Sequence, residues 1–328
     1  MVISYEVGLR KSRGFMKKSV AILGPGAVGG TLAAIFWKKG FNTTVVAQGK
    51  TAEEIQKNGI MFGSGVFGNF IARPKSAAEL RETPDILFVT TKAFGLSDAL
   101  WRVEKAVTKK TVVIPLLNGL EHMDILRARL SGRVIAGSIS IEAERDEKGV
   151  IWHKSPFLII RLASDGELHH RELLTVLLFL REAGIDVRIL NNEKEVLWGK
   201  LVRLCAIASV TSASGTAVGF IRQDPFWRKK LAEVVREGAS VAQKEGVLIK
   251  PDATMKEIDA LPELLRTSMQ RDIESKRPSE LDAIAGAVVR AGMKHGIDCP
   301  AIRECMSIIE CCAPMSKIKV TFIPYKRL

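Results

Sequence analysis

Hydrophobic positions in the first 190 or so residues fall into short apolar runs separated by amphipathic stretches. Val20 to Leu23 is continuous and apolar, and Thr43 to Val46, Ile86 to Thr90 and Thr111 to Leu117 repeat that texture, each reading as a strand. Ala27 to Trp37, Ala52 to Asn58, Ser97 to Val107 and Leu168 to Ala183 read as helices, and Asp186 to Leu190 as a last strand. Ile60 to Ile71 is Gly-rich with alternating apolar residues and predicts a hairpin. Val134 to Glu142 and Val150 to Ala163 carry the strand period of two. Strands alternating with helices predict a mostly parallel sheet with helices on its faces.

After Asn191-Asn192 the pattern changes. Glu193 to Met315 is almost wholly helical in spacing, punctuated by Pro251, Pro262, Pro278 and Pro300. Ser279 opens S-E-L-D, an N-cap with Asp282 three residues on, and Gly296 after Lys294-His295 is a C-terminal stop. The expected architecture is an α/β Rossmann-type domain over 18–192 followed by an all-α domain over 193–328, with 1–17 as an N-terminal extension. No internal repeat is visible.

Composition narrows the function classes. The chain has 328 residues, enough for two cored domains, and is 47% hydrophobic and 26% charged, a soluble globular balance. No apolar stretch reads as a membrane span, and residues 1–18 lack the apolar core of a signal peptide. The formal charge of +13 invites a nucleic-acid reading, but +8 of it sits in residues 1–18 and 317–328. The remainder suits a polyanionic cofactor and an acidic small substrate, so no nucleic acid and no membrane is expected as partner. Five cysteines, Cys205, Cys299, Cys305, Cys311 and Cys312, show no metal spacing and imply a reduced, cytoplasmic chain with no metal.

The chemistry begins at Gly24-Pro25-Gly26-Ala27-Val28-Gly29, directly after the first strand and opening the first helix. Gly24 allows the tight turn, Gly26 lets backbone approach a pyrophosphate, and Gly29 lets the helix pack close to the sheet. The alternative is a turn that merely packs a helix. An NAD enzyme usually ends its second strand in a carboxylate; here Ala47-Gln48-Gly49-Lys50 follows. Lys50 can neutralise a 2′-phosphate and Gln48 can hydrogen-bond it, which leans toward NADP, unless Lys50 is simply a solvated surface residue. Lys92 and Asn118 follow two further strands, where open α/β sheets line their ligand crevice. Lys200, between Trp198 and Leu201, is either a solvated surface lysine or, in a cleft above a nicotinamide, the group that protonates a ketone oxygen as hydride reaches the carbon. Ser268 and Glu280 lie further on. Glu280 can orient the lysine, hold a hydroxyl or ribose, or favour a helix N-terminus.

These motifs together resemble the ketopantoate reductase (2-dehydropantoate 2-reductase) family, from about Lys18 to Ile309. The resemblance is carried by the Gly loop, T-K at Lys92, N-G at Asn118, V-x-x-H at Val150 to His153 and W-x-K at Trp198 to Lys200. S-M at Ser268 before S-E-L-D, and H-G-I-x-x-P at His295 to Pro300, complete it. It implies a cleft between the two domains and NADPH-dependent reduction of a 2-oxo acid, 2-dehydropantoate to pantoate in pantothenate biosynthesis. It also implies Lys200 as general acid and Asn118 as holding cofactor and substrate. Ser268 would contact the substrate, Glu280 the cofactor ribose and the active site, and Ala143 would make a backbone cofactor contact. It is compatible with a homodimer. The chain also departs from the pattern. Where family members place substrate-binding asparagines it has Leu204, Ala208 and Val218, and it lacks the usual arginine at the end of the second strand. Lys200, Leu204 and Ala208 share one helix face. An apolar wall there points to a less polar 2-oxo acid as the alternative substrate, and a non-catalytic NADP-binding protein on the same scaffold as the alternative class.

Overall fold

In the computed structural model residues 18–164 and 170–312 are described. The proposed extension, the basic C-terminal end and residues 168 and 169 of the predicted fourth helix lie outside them. The first half runs β1 (Ser19–Leu23), α1 (Ala27–Lys38), β2 (Asn42–Val46), α2 (Gly49–Asn58), β3 (Ile60–Ser64), β4 (Phe70–Ala72), β5 (Lys75–Ala77) and β6 (Ile86–Val89). It continues α3 (Leu96–Glu104), β7 (Val112–Pro115), α4 (His122–Arg129), β8 (Arg133–Val134), β9 (Ala136–Ser140), β10 (Ala143–Arg145), β11 (Ile151–His153), β12 (Ile159–Ala163), α5 (His170–Glu182) and β13 (Asp186–Ile189).

Six strands form a parallel sheet in the order β5-β2-β1-β6-β7-β8. Every residue of β6 and β7 is buried, which is why they read as continuous apolar runs: helices cover both faces. The order turns back on itself between β1 and β6, and such a switch point opens a crevice at the strand C-termini. The loops after β1, β6 and β7 carry Gly24 to Gly29, Lys92 and Asn118 into that crevice.

Two smaller sheets complete this half, β10-β11-β3-β4 and β13-β12-β9. The predicted hairpin over 60–71 is the antiparallel β3–β4 pair. In the second sheet β12 runs antiparallel to β9 and parallel to β13. Its alternation sends Ile139, Ile160, Leu162 and Val187 into the core with Phe36 and Phe179, and turns Ser138, Ser140, Arg161 and Arg188 to the other face. The sequence pattern missed α4. It is one short helix with only His122, Met123 and Leu126 buried, too few positions to show a period.

The second half is all helical: α6 (Glu193–Ser214), α7 (Val218–Gln223), α8 (Pro225–Lys244), α9 (Pro251–Asp259), α10 (Ser268–Glu274), α11 (Ala287–Lys294) and α12 (Pro300–Cys312). Asn192 caps α6, its side chain accepting from Glu195 N at 2.9 Å. α6 is long and apolar enough to cross a membrane by length and composition, contrary to the sequence expectation. It is instead mostly buried as the central helix, packed by α8, α10 and α12. Pro225, Pro251 and Pro300 each open a helix, and Gly296 with φ +67° follows α11 as predicted. Ser279 does not cap. Leu281 is the first helical residue, and Ile284 N donates to Glu280 O at 2.9 Å, ahead of a π turn at Asp282–Gly286. Cys205, Cys299 and Cys305 are core residues, and burial pushes their thiols up to about 12, 11 and 12, which leaves them unreactive.

Candidate functional site

The glycine turn has the shape of a phosphate cradle. Gly24 adopts φ +93° and donates to Val46 O at 3.0 Å, turning the chain off β1. A Cβ on Gly26 would meet nothing within 4 Å, so the backbone is open to a ligand there. A Cβ on Gly29 would lie 2.2 Å from Gly24 O and 2.3 Å from Thr90 Oγ1. Thr90 Oγ1 in turn donates to Gly24 O at 2.7 Å, tying the ends of β1 and β6 together. Pro25, Ala27 and Val28 are half-buried around the turn. No side chain caps α1, and its first turn holds no acid, so its N-terminal dipole is left for an anion. Thr91 Oγ1 beside Gly24 is buried without a hydrogen-bond partner among the described residues. These features fit a dinucleotide pyrophosphate. Gln48 and Lys50 are exposed at the start of α2, and Ala143 opens β10, which packs on α1. His153 is structural: its ring nitrogens meet Ser64 Oγ at 2.9 Å and Phe157 O at 3.1 Å.

A methyl group at Gly29 has no room against a backbone carbonyl. Gly29→Ala is expected to cost about 1–3 kcal/mol of stability, the usual scale of overpacking. It should also weaken dinucleotide binding at least about tenfold, since each 1.4 kcal/mol of lost fit is tenfold. Denaturant midpoints and a calorimetric titration check both.

Across the crevice, the segment that leads into the π turn ahead of α11 meets the sheet through Glu280, which is 3% exposed. Its Oε2 accepts from Lys92 Nζ at 3.1 Å and Asn118 Nδ2 at 3.0 Å, and its Oε1 from Ala93 N at 3.2 Å. Lys92 also donates to Asp272 Oδ2 at 3.0 Å. Burial alone would lower the Lys92 ammonium, but the Glu280 and Asp272 charges outweigh it and hold its pKa above the ordinary value. Gly119, at φ +92°, lets the loop abut Ala283 O, which a Cβ would approach to 2.4 Å. Arg290 of α11 bridges Glu121 at 2.7 Å and Asp282 at 2.6 Å, and Arg127 reaches Glu193 at 2.6 Å. The domains thus meet along an ionic seam.

Lys200 projects from α6 into a small space lined by Leu117, Asn118, Gly119, Ser138, Leu197, Leu201 and Leu204. Burial pushes its pKa down to about 8; Arg203 and Arg161 push the same way, and Glu280 opposes them. His122 is buried with both ring nitrogens unpartnered among the described residues, and burial together with the Lys200 charge holds its imidazole down at about 3, neutral at working pH.

Glu280, Asn118, Lys92 and Lys200 therefore come together, whereas other expected contacts do not. Ala208 and Val218 lie in the helical core at 0% and 1% exposure, so of the apolar wall only Leu204 faces Lys200. Ser268 is exposed at the start of α10. Its neighbour Thr267 lies 3.3 Å from Thr211, roughly 16 Å along α6 from Lys200 at 1.5 Å per residue. Asp272, Ser138, His122, Arg161 and Arg203 were not singled out from sequence. Only Arg203, one turn beyond Lys200, had a spacing signal.

Residues 20–161 match the family model described as ketopantoate reductase PanE/ApbA, and residues 192–311 match its C-terminal counterpart. The chain is 27% identical over 291 residues to a 2-dehydropantoate 2-reductase of Archaeoglobus fulgidus, covering 88% of this chain and 96% of the relative. It is 26% identical over 301 residues to that of Caulobacter vibrioides, covering 90% and 99%. Among solved structures, D-mandelate dehydrogenase with NADH and anilino(oxo)acetate is similar at TM-score 0.84 and 20% identity, covering 90% and 98%. A ketopantoate reductase from Ralstonia eutropha is similar at 0.80 and 23%, covering 90% and 98%. At such identities these structures establish the fold.

Proposed function

The chain belongs to the ketopantoate reductase PanE/ApbA family, and from that premise we propose that it catalyses NADPH-dependent reduction of a 2-oxo acid to a 2-hydroxy acid, 2-dehydropantoate to pantoate first among the candidates. The observation that supports this most is Lys200, half-buried opposite Asn118 at the mouth of the dinucleotide crevice with its pKa lowered to about 8. A surface lysine has no such environment, and a general acid near neutral pH requires one.

A bound nicotinamide supplies the hydride. The protein's part is positional and protonic. The Gly24 to Gly29 turn and the N-terminus of α1 hold the pyrophosphate, and Asn118 and Glu280 hold ribose and substrate at the seam. Lys200 Nζ carries the proton that the carbonyl oxygen gains as its carbon is reduced. Leu117, Leu197, Leu201 and Leu204 keep bulk water from that proton.

The Leu204 side chain favours a second reading of the substrate. It can neither donate nor accept a hydrogen bond, and an unpaired buried hydroxyl costs about 1–3 kcal/mol. A less polar 2-oxo acid such as 2-oxoisovalerate then competes with 2-dehydropantoate. A substrate panel followed by loss of reduced-nicotinamide absorbance decides between them. Nucleotide binding without turnover on any 2-oxo acid would instead favour a non-catalytic NADP-binding protein. On the cofactor, Gln48 and Lys50 at the start of α2, just after β2, with no carboxylate before Glu53, support NADPH over NADH. Competing titrations should show NADPH bound at least about tenfold more tightly, the scale of one favourable charge contact to a phosphate; equal affinities would remove the NADP assignment.

A further inference from the structure

With Ala208 and Val218 in the core and Ser268 away from Lys200, the residues singled out in the sequence leave a substrate carboxylate without a cationic partner beside the proton donor. The β13-β12-β9 sheet supplies one. Arg161 stands opposite Ser138 in the antiparallel register and opposite Arg188 in the parallel one, so the three form a row on the face turned away from the apolar core. α6 packs against β9 and β12. Ser138 lines the space around Lys200, and its Oγ is buried with no hydrogen-bond partner among the described residues.

Arg161 is half-buried. Among the described residues its one hydrogen bond runs from Nη1 to Ser140 Oγ at 2.8 Å, and no carboxylate pairs with it. Asp186 is taken by Arg188 at 3.4 Å. Arg203, one turn from Lys200 on α6, brings a second guanidinium. Its carboxylate, Glu257, is 3.5 Å away and 63% exposed. Burial, and then Arg188 and Arg203, hold the Arg161 pKa below the ordinary arginine value, although the Glu257 and Asp186 charges oppose them. Three guanidinium groups therefore gather, Arg161 and Arg203 half-buried and Arg188 exposed, and the two carboxylates near them, Asp186 and Glu257, are themselves exposed and pair with Arg188 and Arg203. An anion offsets the charge of Arg161, and a guanidinium fork matches a carboxylate in shape.

We infer that Arg161, with Arg203 beside it, binds the carboxylate of the 2-oxo acid, and that Ser138 Oγ donates to the same group. This rests on the 2-oxo acid reductase reading. The carboxylate is one bond from the reacting carbonyl, so seating it on Arg161 leaves the carbonyl oxygen beside Lys200. Amide and ester analogues of the substrate lose the charge that the two arginines select.

The test uses two readouts on the NADPH-loaded enzyme. Arg161→Gln should raise KM for an accepted 2-oxo acid about thirtyfold or more, with kcat changed less than about threefold, as expected for a lost charge-assisted pair that acts in binding. Arg161→Lys should fall between. Calorimetric titration with oxamate, an unreactive 2-oxo acid mimic, should show binding weakened at least about tenfold in Arg161→Gln, while NADPH affinity holds. Unchanged KM and unchanged oxamate affinity overturn the inference and leave 2-oxo acid reduction standing. If the unmodified protein reduces no 2-oxo acid, the reductase reading falls, yet the oxamate arm still decides. Arg161-dependent binding upholds the anion site; absent or Arg161-independent binding overturns it. Should Arg161→Gln lose its thermal unfolding transition, Arg203→Gln carries both readouts, with at least about a fivefold effect expected in the same direction.

Discussion

Lys200→Met is expected to cut turnover by about a hundredfold or more, the usual scale of a lost general acid, with NADPH affinity nearly unchanged. Methionine keeps the length of the side chain and removes the proton. Because the reduction consumes a proton from the ammonium form, the rate of the unmodified enzyme should be level below, and fall above, a pH near the lowered pKa of about 8. The variant's residual rate should lose that dependence. Stability should move the other way. Folding lowers the Lys200 pKa from 10.5 to about 8, so the unfolded chain binds more protons between those values and stability rises with pH across that window. Below pH 8 the charge of the half-buried lysine opposes folding by its full amount. Lys200→Met should therefore be more stable at neutral pH, by about 1 kcal/mol or more, the common exchange between an active site and its fold. Thermal melts and a kcat profile from pH 6 to 10 test the pair. An unchanged rate with unchanged stability would return Lys200 to an ordinary surface role.

The sequence made the scaffold legible because the scaffold is local. β6, β7 and β1 from Val20 onward are apolar and buried because both faces are covered, and Gly24 and Gly29 sit where the turn and the helix contact each require them. The change to helical spacing after Asn192 was visible as a change of period, and Asn192 caps α6 at that point. The surroundings of Lys200 were not legible, because they come from strand registers. Ser138 and Arg161 are 23 residues apart and meet only through the antiparallel pairing of β9 and β12. The inferred helix face failed for a geometric reason. Each step of four residues rotates about 40° around the axis, so Ala208 has turned roughly 80° from Lys200 and into the packing against neighbouring helices.

Glu280→Gln is the sharper test of the seam. The carboxylate now accepts three donors on two oxygens, Lys92 and Asn118 on Oε2 and Ala93 N on Oε1. A carboxamide has one acceptor oxygen, so its NH₂ must face either the Ala93 amide or the Lys92–Asn118 pair, donor against donor. Lys92 keeps Asp272 and is 41% exposed, so the stability cost should be modest, about 1–2 kcal/mol. The catalytic cost should be larger. Among the charges that act on Lys200, Glu280 is the one that raises its pKa, against burial, Arg203 and Arg161. Removing it should drive the Lys200 pKa further below 8, so that the fall in kcat moves to lower pH and the rate at pH 8 drops about tenfold or more. Asp272→Asn is the control, because it removes the other partner of Lys92 while leaving the Glu280 charge opposite Lys200. It should weaken the seam and leave the pH midpoint in place. If Glu280→Gln kept both its midpoint and its rate, Glu280 would be a clasp between domains and nothing more. If both variants moved the midpoint equally, the shift would belong to closure of the seam, and Lys200 would sense the position of the domains rather than the charge of one carboxylate.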